Sequence, residues 1–159
     1  MRNHIVLPVF TLALFAVALT VAGQTPEGLV GTWKTNVAKS TYSPGPPPKP
    51  ATSRWEPMGD GQLKNINDGV DAKGQPTHAE IIVTFDGTDR PVIGAAVPTT
   101  RAYKRIDART FEFVTKENGK VTTTFRSVAA PDGKTRTATI TGTNAQGQPV
   151  KNVVLYEKQ

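Results

Sequence analysis

The chain has 159 residues, a formal charge of +6 and no cysteine. Without cysteine there is no disulfide framework, no thiolate metal centre and no lipid-anchored amino terminus, so the fold must rest on core burial and hydrogen bonding. The positive charge is spread thinly rather than in blocks, and the aromatic 7% is not interleaved with it, which excludes a stacking platform for nucleic acid.

Arg2 and the amino terminus make a positive start, and residues 5–22 are almost wholly apolar, the layout of a secretory signal. Small residues Ala22 and Gly23 suit signal peptidase, with Gln24 as the new amino terminus and a cut after Ala22 as the alternative. The other reading is an uncleaved anchor, since the run approaches the roughly 20 residues that cross a bilayer. Cleavage predicts export to the periplasm or the medium, with no stable membrane span afterwards. It leaves about 136 residues, 24–159, enough for one domain.

Next comes Gly31-Thr32-Trp33 at the head of a β-prone run, 29–36. Residues 36–51 form a connection rich in proline, which is neither helix nor central strand, and its polyproline character makes it stiff and extended. Further short runs are expected at 52–56, 62–68, 77–86, 99–107, 110–116, 120–129, 134–142 and 149–157, with a short extra one at 90–93. Turn signals recur roughly every 8 to 15 residues, which marks an all-β meander. Asp60-Gly61, Asp86-Gly87, Asn118-Gly119 and Asp132-Gly133 offer the positive-φ residues of tight hairpins. The segments 69–77 and 142–150 echo each other and predict two turns of one type.

Period-two alternation supports half-buried strands. Ala79, Ile81, Val83 and Phe85 share a face, broken only by Ile82; Phe111 pairs with Phe113; Val121, Thr123 and Phe125 share a face with Arg126 opposite. A meander of about 8–10 strands leaves two unpaired edges unless it closes into a barrel, so an antiparallel up-and-down barrel is expected.

The Gly31-Thr32-Trp33-Lys34 signature on a first strand resembles the lipocalin-like, or calycin, barrels. That resemblance implies a Trp33 indole closing one end beneath a late-strand cation, with Arg126 and Arg136 as candidates; such a contact is worth on the order of 1 kcal/mol. GTWKTNVAKSTYSPGPPPK, KRIDARTFEF and TGTNAQGQPVKNV together are similar to a group of small exported bacterial lipocalin-like proteins of unknown function. Two departures stand out. Lipocalins proper have eight strands and a terminal helix, and this chain ends in a strand. The fatty-acid-binding branch has a helical lid where this chain has prolines, and an Arg-x-Tyr on its last strand of which only Tyr156 is matched.

No catalytic, cofactor or metal set assembles. After signal removal His78 is the sole histidine, beside Glu80 on a polar strand face, and reads as an exposed, satisfied side chain. Arg101, Tyr103 and Arg105 alternate on one strand; inward they would form an anion site, but the more apolar set Ala102, Lys104 and Ile106 favours that set as the inner one. The expected function is therefore interior binding of a small apolar or amphipathic ligand. The pocket candidates are Trp33, Trp55, Phe85, Phe111, Phe113, Phe125 and Tyr156, with Arg101, Arg126 or Arg136 meeting a polar head group. The rival reading is a protein-interaction or envelope module, an inhibitor or assembly factor with a packed interior and a partner not identified by the sequence.

Overall fold

The computed structural model describes residues 24–144 and 146–159; the signal segment read over residues 1–23 lies outside them. Ten strands follow one another: β1 (Gly31–Thr41), β2 (Thr52–Gly59), β3 (Gln62–Val70), β4 (Pro76–Val83), β5 (Asp86–Pro91), β6 (Thr99–Arg105), β7 (Thr110–Glu117), β8 (Lys120–Ala129), β9 (Thr135–Thr143) and β10 (Pro149–Lys158). Neighbours in sequence pair antiparallel except β4 and β5, and β1 also pairs β10, giving the order β4-β3-β2-β1-β10-β9-β8-β7-β6-β5. A meander whose first and last strands pair closes on itself except at one seam, here between β4 and β5. That seam is stitched by reciprocal backbone bonds between Glu80 and Ile93, at 2.9 and 2.8 Å. The result is a nearly closed, all-β, lipocalin-like barrel.

The turn chemistry explains the hairpins. Asp60-Gly61 and Asn118-Gly119 both place two successive residues at positive φ (50° and 72°, 50° and 78°), the twist that matches flanking strands. The echoed segments form one turn design. The Asp71 amide donates to the Gln75 carbonyl at 2.9 Å and the Asn144 amide to Gln148 at 3.0 Å. In each, the Asx side chain also accepts from the amides two and four residues on.

Three sequence expectations are corrected. Asp86-Gly87 is no hairpin turn: the Asp86 carboxylate accepts from the Thr84 hydroxyl and the Thr88 amide, each at 2.9 Å, and Gly87 sits in a bulge of β5. The expected run 77–86 therefore splits at Thr84-Phe85. β1 does not stop at Asn36, because residues between Asn36 and Thr41 form an irregularity and the ladder with β10 resumes at Thr41–Val153. The Ser40 hydroxyl stitches it by donating to the Asn36 carbonyl and accepting from the Leu155 amide. Val121 is exposed rather than inward, because Thr122 is an extra residue between the pairs Thr115–Thr123 and Lys116–Val121, which shifts the alternation by one.

The core fills one end of the barrel. Trp33, Leu63, Ile81, Val83, Phe85, Phe111 and Ala138 are all at most 2% exposed, and Trp33 Nε1 donates to the Leu29 carbonyl at 2.8 Å, drawing the amino-terminal segment under that end. The other end is bounded by the loop over residues 42–51, the turns at 71–75 and 144–148, and the loop over 92–98.

Candidate functional site

Between the packed end and the open end lies a cavity of about 280 Å³. Alternation along the strands decides its lining. β2 presents Ser53 and Trp55, β3 presents Asn65 and Asn67, β6 presents Arg101 and Tyr103, and β7 presents Phe113 and Thr115. β8 adds Thr123 and Phe125, β9 adds Arg136 and Ile140, and β10 adds Tyr156. The Arg101–Tyr103 face is inward, which overturns the expectation that it faces solvent. Tyr103 is 1% exposed and packs its ring against Phe113 at 4.6 Å, so the phenol, not the flanking aliphatic carbons, sets the phase of β6.

The aromatic walls are ordered. Phe113 and Phe125 stack at 4.5 Å with 13° between their planes, and the Arg101 guanidinium carbon lies 4.9 Å from the Phe113 centroid. Arg136 is 4% exposed and surrounded by rings, 4.8 Å from Trp33, 5.0 Å from Phe111 and 5.8 Å from both Trp55 and Tyr156. Its Nε donates to the Ser127 hydroxyl at 3.3 Å. Arg136 is thus the late-strand cation over the Trp33 indole, assisted from below by Lys158 at 5.3 Å. It also stands directly across the β9–β10 ladder from Tyr156. The cation beside the last-strand tyrosine therefore comes from the adjacent strand.

The electrostatics of the cavity are one-sided. Among the described residues two guanidinium groups line it and no Asp or Glu does. Burial lowers the Arg136 pKa to about 10, so the group is charged at neutral pH, at a desolvation cost that no carboxylate offsets. Burial likewise pushes the Tyr103 and Tyr156 hydroxyls up, leaving both as neutral donors. Among the lining residues Trp55 Nε1, Arg101 Nε, Tyr103 Oη and Arg136 Nη1 are buried without a hydrogen-bond partner in the protein. Each such donor costs about 1–3 kcal/mol if left unmade.

No protein-family model matches the chain, and no protein of curated function does. The likeness is to solved structures. The wild-type fluorescent protein UnaG aligns with a TM-score of 0.56 and 17% identity, over 84% of this chain and 98% of UnaG. A point mutant of UnaG gives 0.55 and 16%, over 84% and 97%. The fold is a calycin-type barrel. At this identity the likeness speaks for the fold alone, and the site must be judged on its own residues.

Of the sequence-derived candidates, Trp55, Arg101, Phe113, Phe125, Arg136 and Tyr156 converge on the cavity. Trp33, Phe85 and Phe111 pack beneath it in the closed end. Arg126 faces outward, where it pairs with Glu112 across the β7–β8 ladder. Sequence reasoning missed the polar residues Ser53, Asn65, Asn67, Thr115 and Thr123. Ser53 and Thr115 lie two positions from Trp55 and Phe113, so strict alternation outward from the aromatic anchors finds them. His78 is exposed and bonded at both ring nitrogens, to Asp68 at 2.7 Å and Glu80 at 3.3 Å. The third group absent from its local sequence comes across the ladder from β3.

Proposed function

We propose that the protein is an exported carrier that binds a small amphipathic ligand inside the barrel, with the ligand's acidic end held by Arg101 and Arg136. The observation that carries this reading is the buried Arg136 guanidinium, whose Nη1 has no hydrogen-bond partner, in a cavity with no carboxylate among its described lining residues. A charge so placed is expensive unless something negative meets it, and a carboxylate, sulfonate or phosphate would accept its free N–H. The stacked Phe113 and Phe125 faces and the Trp55 ring supply apolar contact for the ligand body. The polar residues around them accommodate hydroxyl or carbonyl groups. Export is supported by the leader over residues 1–23.

The test pairs a flat acid with its neutral amide. Titrating the mature chain with 2-naphthoate and 2-naphthamide, followed by Trp fluorescence, is expected to show the acid binding at least tenfold more tightly. Equal affinities, or no binding of either, would remove the anion-binding reading. Native mass spectrometry of protein purified from cells gives the complementary expectation, an acidic adduct that disappears on denaturation.

A further inference from the structure

The walls of the cavity change character one step up four of its strands. The next inward residue toward the open end is Ser53 after Trp55, Arg101 after Tyr103, Thr115 after Phe113 and Thr123 after Phe125. The ladders put these residues level with one another: Phe113 pairs both Tyr103 and Phe125, and Thr115 pairs both Arg101 and Thr123. Across the barrel, Trp55 pairs Asn65 and Ser53 pairs Asn67. The ring layer is thus only two residues of strand tall, about 7 Å, before hydroxyls, amides and a guanidinium succeed it. A long alkyl body would run out of rings and into that polar layer; a flat aromatic body would not.

One side chain of the polar layer has a fixed hydrogen-bonding role. The Arg54 carbonyl can only accept, so the Asn65 atom 3.1 Å from it must be the nitrogen, which also donates to the Ser53 hydroxyl at 2.9 Å. That turns Asn65 Oδ1 toward Asn67, whose Nδ2 donates to it at 2.8 Å. Asn67 Oδ1 is left over as an acceptor in the lining, and among the described residues no hydrogen bond reaches it. Asn65, 2% exposed, is a positioning residue, with both N–H groups and its oxygen engaged in holding Ser53 and Asn67. The threonine hydroxyls can turn to donate or accept, whereas the guanidinium groups and the Trp55 indole only donate. The Asn67 oxygen therefore asks for a donor from the ligand.

We infer that the cavity selects an aromatic acid carrying a hydroxyl or N–H donor on its ring system, with Asn67 Oδ1 as the specificity-determining acceptor. The inference rests on the interior-binding reading above and adds the substrate class. An analogue without the donor, or with a methyl group in its place, leaves a desolvated carbonyl oxygen unpaired, and a site of this kind discriminates strongly against it.

The test titrates the wild-type chain and Asn67→Leu by calorimetry with 2-naphthoate, dodecanoate, the 5-, 6- and 7-hydroxy-2-naphthoates and their methyl ethers. In the wild type at least one hydroxy acid is expected to bind at least tenfold more tightly than 2-naphthoate and than its own ether, and dodecanoate more weakly than 2-naphthoate. Asn67→Leu, similar in volume, should keep 2-naphthoate within twofold, which also verifies that it is folded, and lose the preference for the hydroxyl. Hydroxy acids that all fall short of the tenfold margin, an ether that matches its parent, or a preference that survives Asn67→Leu overturns the inference and leaves interior binding standing. Parallel loss of every acid in Asn67→Leu also overturns it, since Asn67 would then serve only to hold the wall. Dodecanoate binding more tightly than every aromatic acid overturns the substrate class. A wild-type chain that binds none of these acids overturns the interior-binding reading itself.

Discussion

The guanidinium of Arg136 lies 4.8 Å from the ring centroid of Trp33, so the signature residue of the first strand and a residue near the start of β9 close the same end of the barrel. The contact does more than seal that end. Trp33, Phe111, Trp55 and Tyr156 hold the cation at the floor of the cavity with ring faces, which attract positive charge without neutralising it. A carboxylate in their place would have cancelled the charge. The cavity lining thereby keeps a net positive charge, with no carboxylate among its described residues.

That arrangement separates stability from binding at Arg136. Replacing it by Met keeps the length and apolar bulk and removes the desolvation cost. Arg136→Met is expected to unfold in urea within about 1 kcal/mol of the wild type, or to be more stable. Its affinity for 2-naphthoate should fall at least tenfold. Trp33→Ala, which empties the closed end, should instead cost about 3–5 kcal/mol. Loss of more than about 3 kcal/mol in Arg136→Met would show the cation to be a structural keystone and not a ligand-facing charge.

Arg101 and Arg126 give a matched comparison, since one faces the cavity and the other faces solvent. Arg101→Leu should weaken binding of 2-naphthoate at least fivefold with little change in urea midpoint. Arg126→Leu breaks a half-exposed surface pair with Glu112 and should move stability by about 0–1 kcal/mol and binding not at all. Equal effects on binding from the two variants would indicate a long-range field and not a site.

Much of this fold is legible in the sequence because period-two alternation and Asx-Gly turns are local signals. The alternation of Ile81, Val83 and Phe85 against Ile82 matches their burial, and Asn118-Gly119 turns as its chemistry demands. The failures share a cause. Asp86-Gly87 and Thr122 sit at bulges, where one extra residue reverses every side chain beyond it, and a bulge depends on its partner strand. The phase of β6 runs against the sequence expectation for a related reason: Arg101, Tyr103 and Arg105 form the more polar set, yet a ring-lined interior holds a guanidinium and a phenol that a purely aliphatic core would reject. The cavity anchors Trp55, Phe113 and Phe125 are visible as aromatics, whereas the space beneath the proline-rich connection is not. Nothing local tells a proline spacer that lies flat from one that stands off the sheet.

The outer face of β3 and β4 sets a pH dependence. The hydrogen bond that the His78 ring donates to the Asp68 carboxylate, with further help from Glu80, raises the His78 pKa above its usual 6.5. Lys64, 2.7 Å from Glu80, is the one cation in the group and pulls the Glu80 pKa down. A histidine whose folded pKa exceeds its unfolded value stabilises the fold fully below about 6.5, and that stabilisation is lost as pH rises through the folded value. The difference in Tm between wild type and His78→Gln should therefore be larger near pH 5.5 than near pH 9. His78 and Asp68 are exposed, so the effect should shrink further in high salt. A difference that grows with pH would mean that His78 is favoured in its neutral form.

The bulge at Thr122 has a consequence on the neighbouring strand. It turns the Thr122 carbonyl toward β9, where a Cβ on Gly142 would lie 2.0 Å from that oxygen and 2.7 Å from the Thr123 Cα. Both are backbone atoms, so the clash cannot be relieved by a rotamer change, and Gly142 is also held at φ 153°. Gly142→Ala should cost more than about 2 kcal/mol, since the ladder must shift or the bulge must be lost. Gly147 supplies the control: it too has positive φ, 77°, but lies in an open turn with nothing within 4 Å of the built Cβ. Gly147→Ala should cost only the left-handed penalty, about 1–2 kcal/mol. Urea unfolding of the two variants checks the difference. Equal midpoints would mean that β8 and β9 do not approach so closely at the bulge. A larger loss for Gly142 would show that the bulge, which turns Val121 outward, depends on a glycine across the ladder.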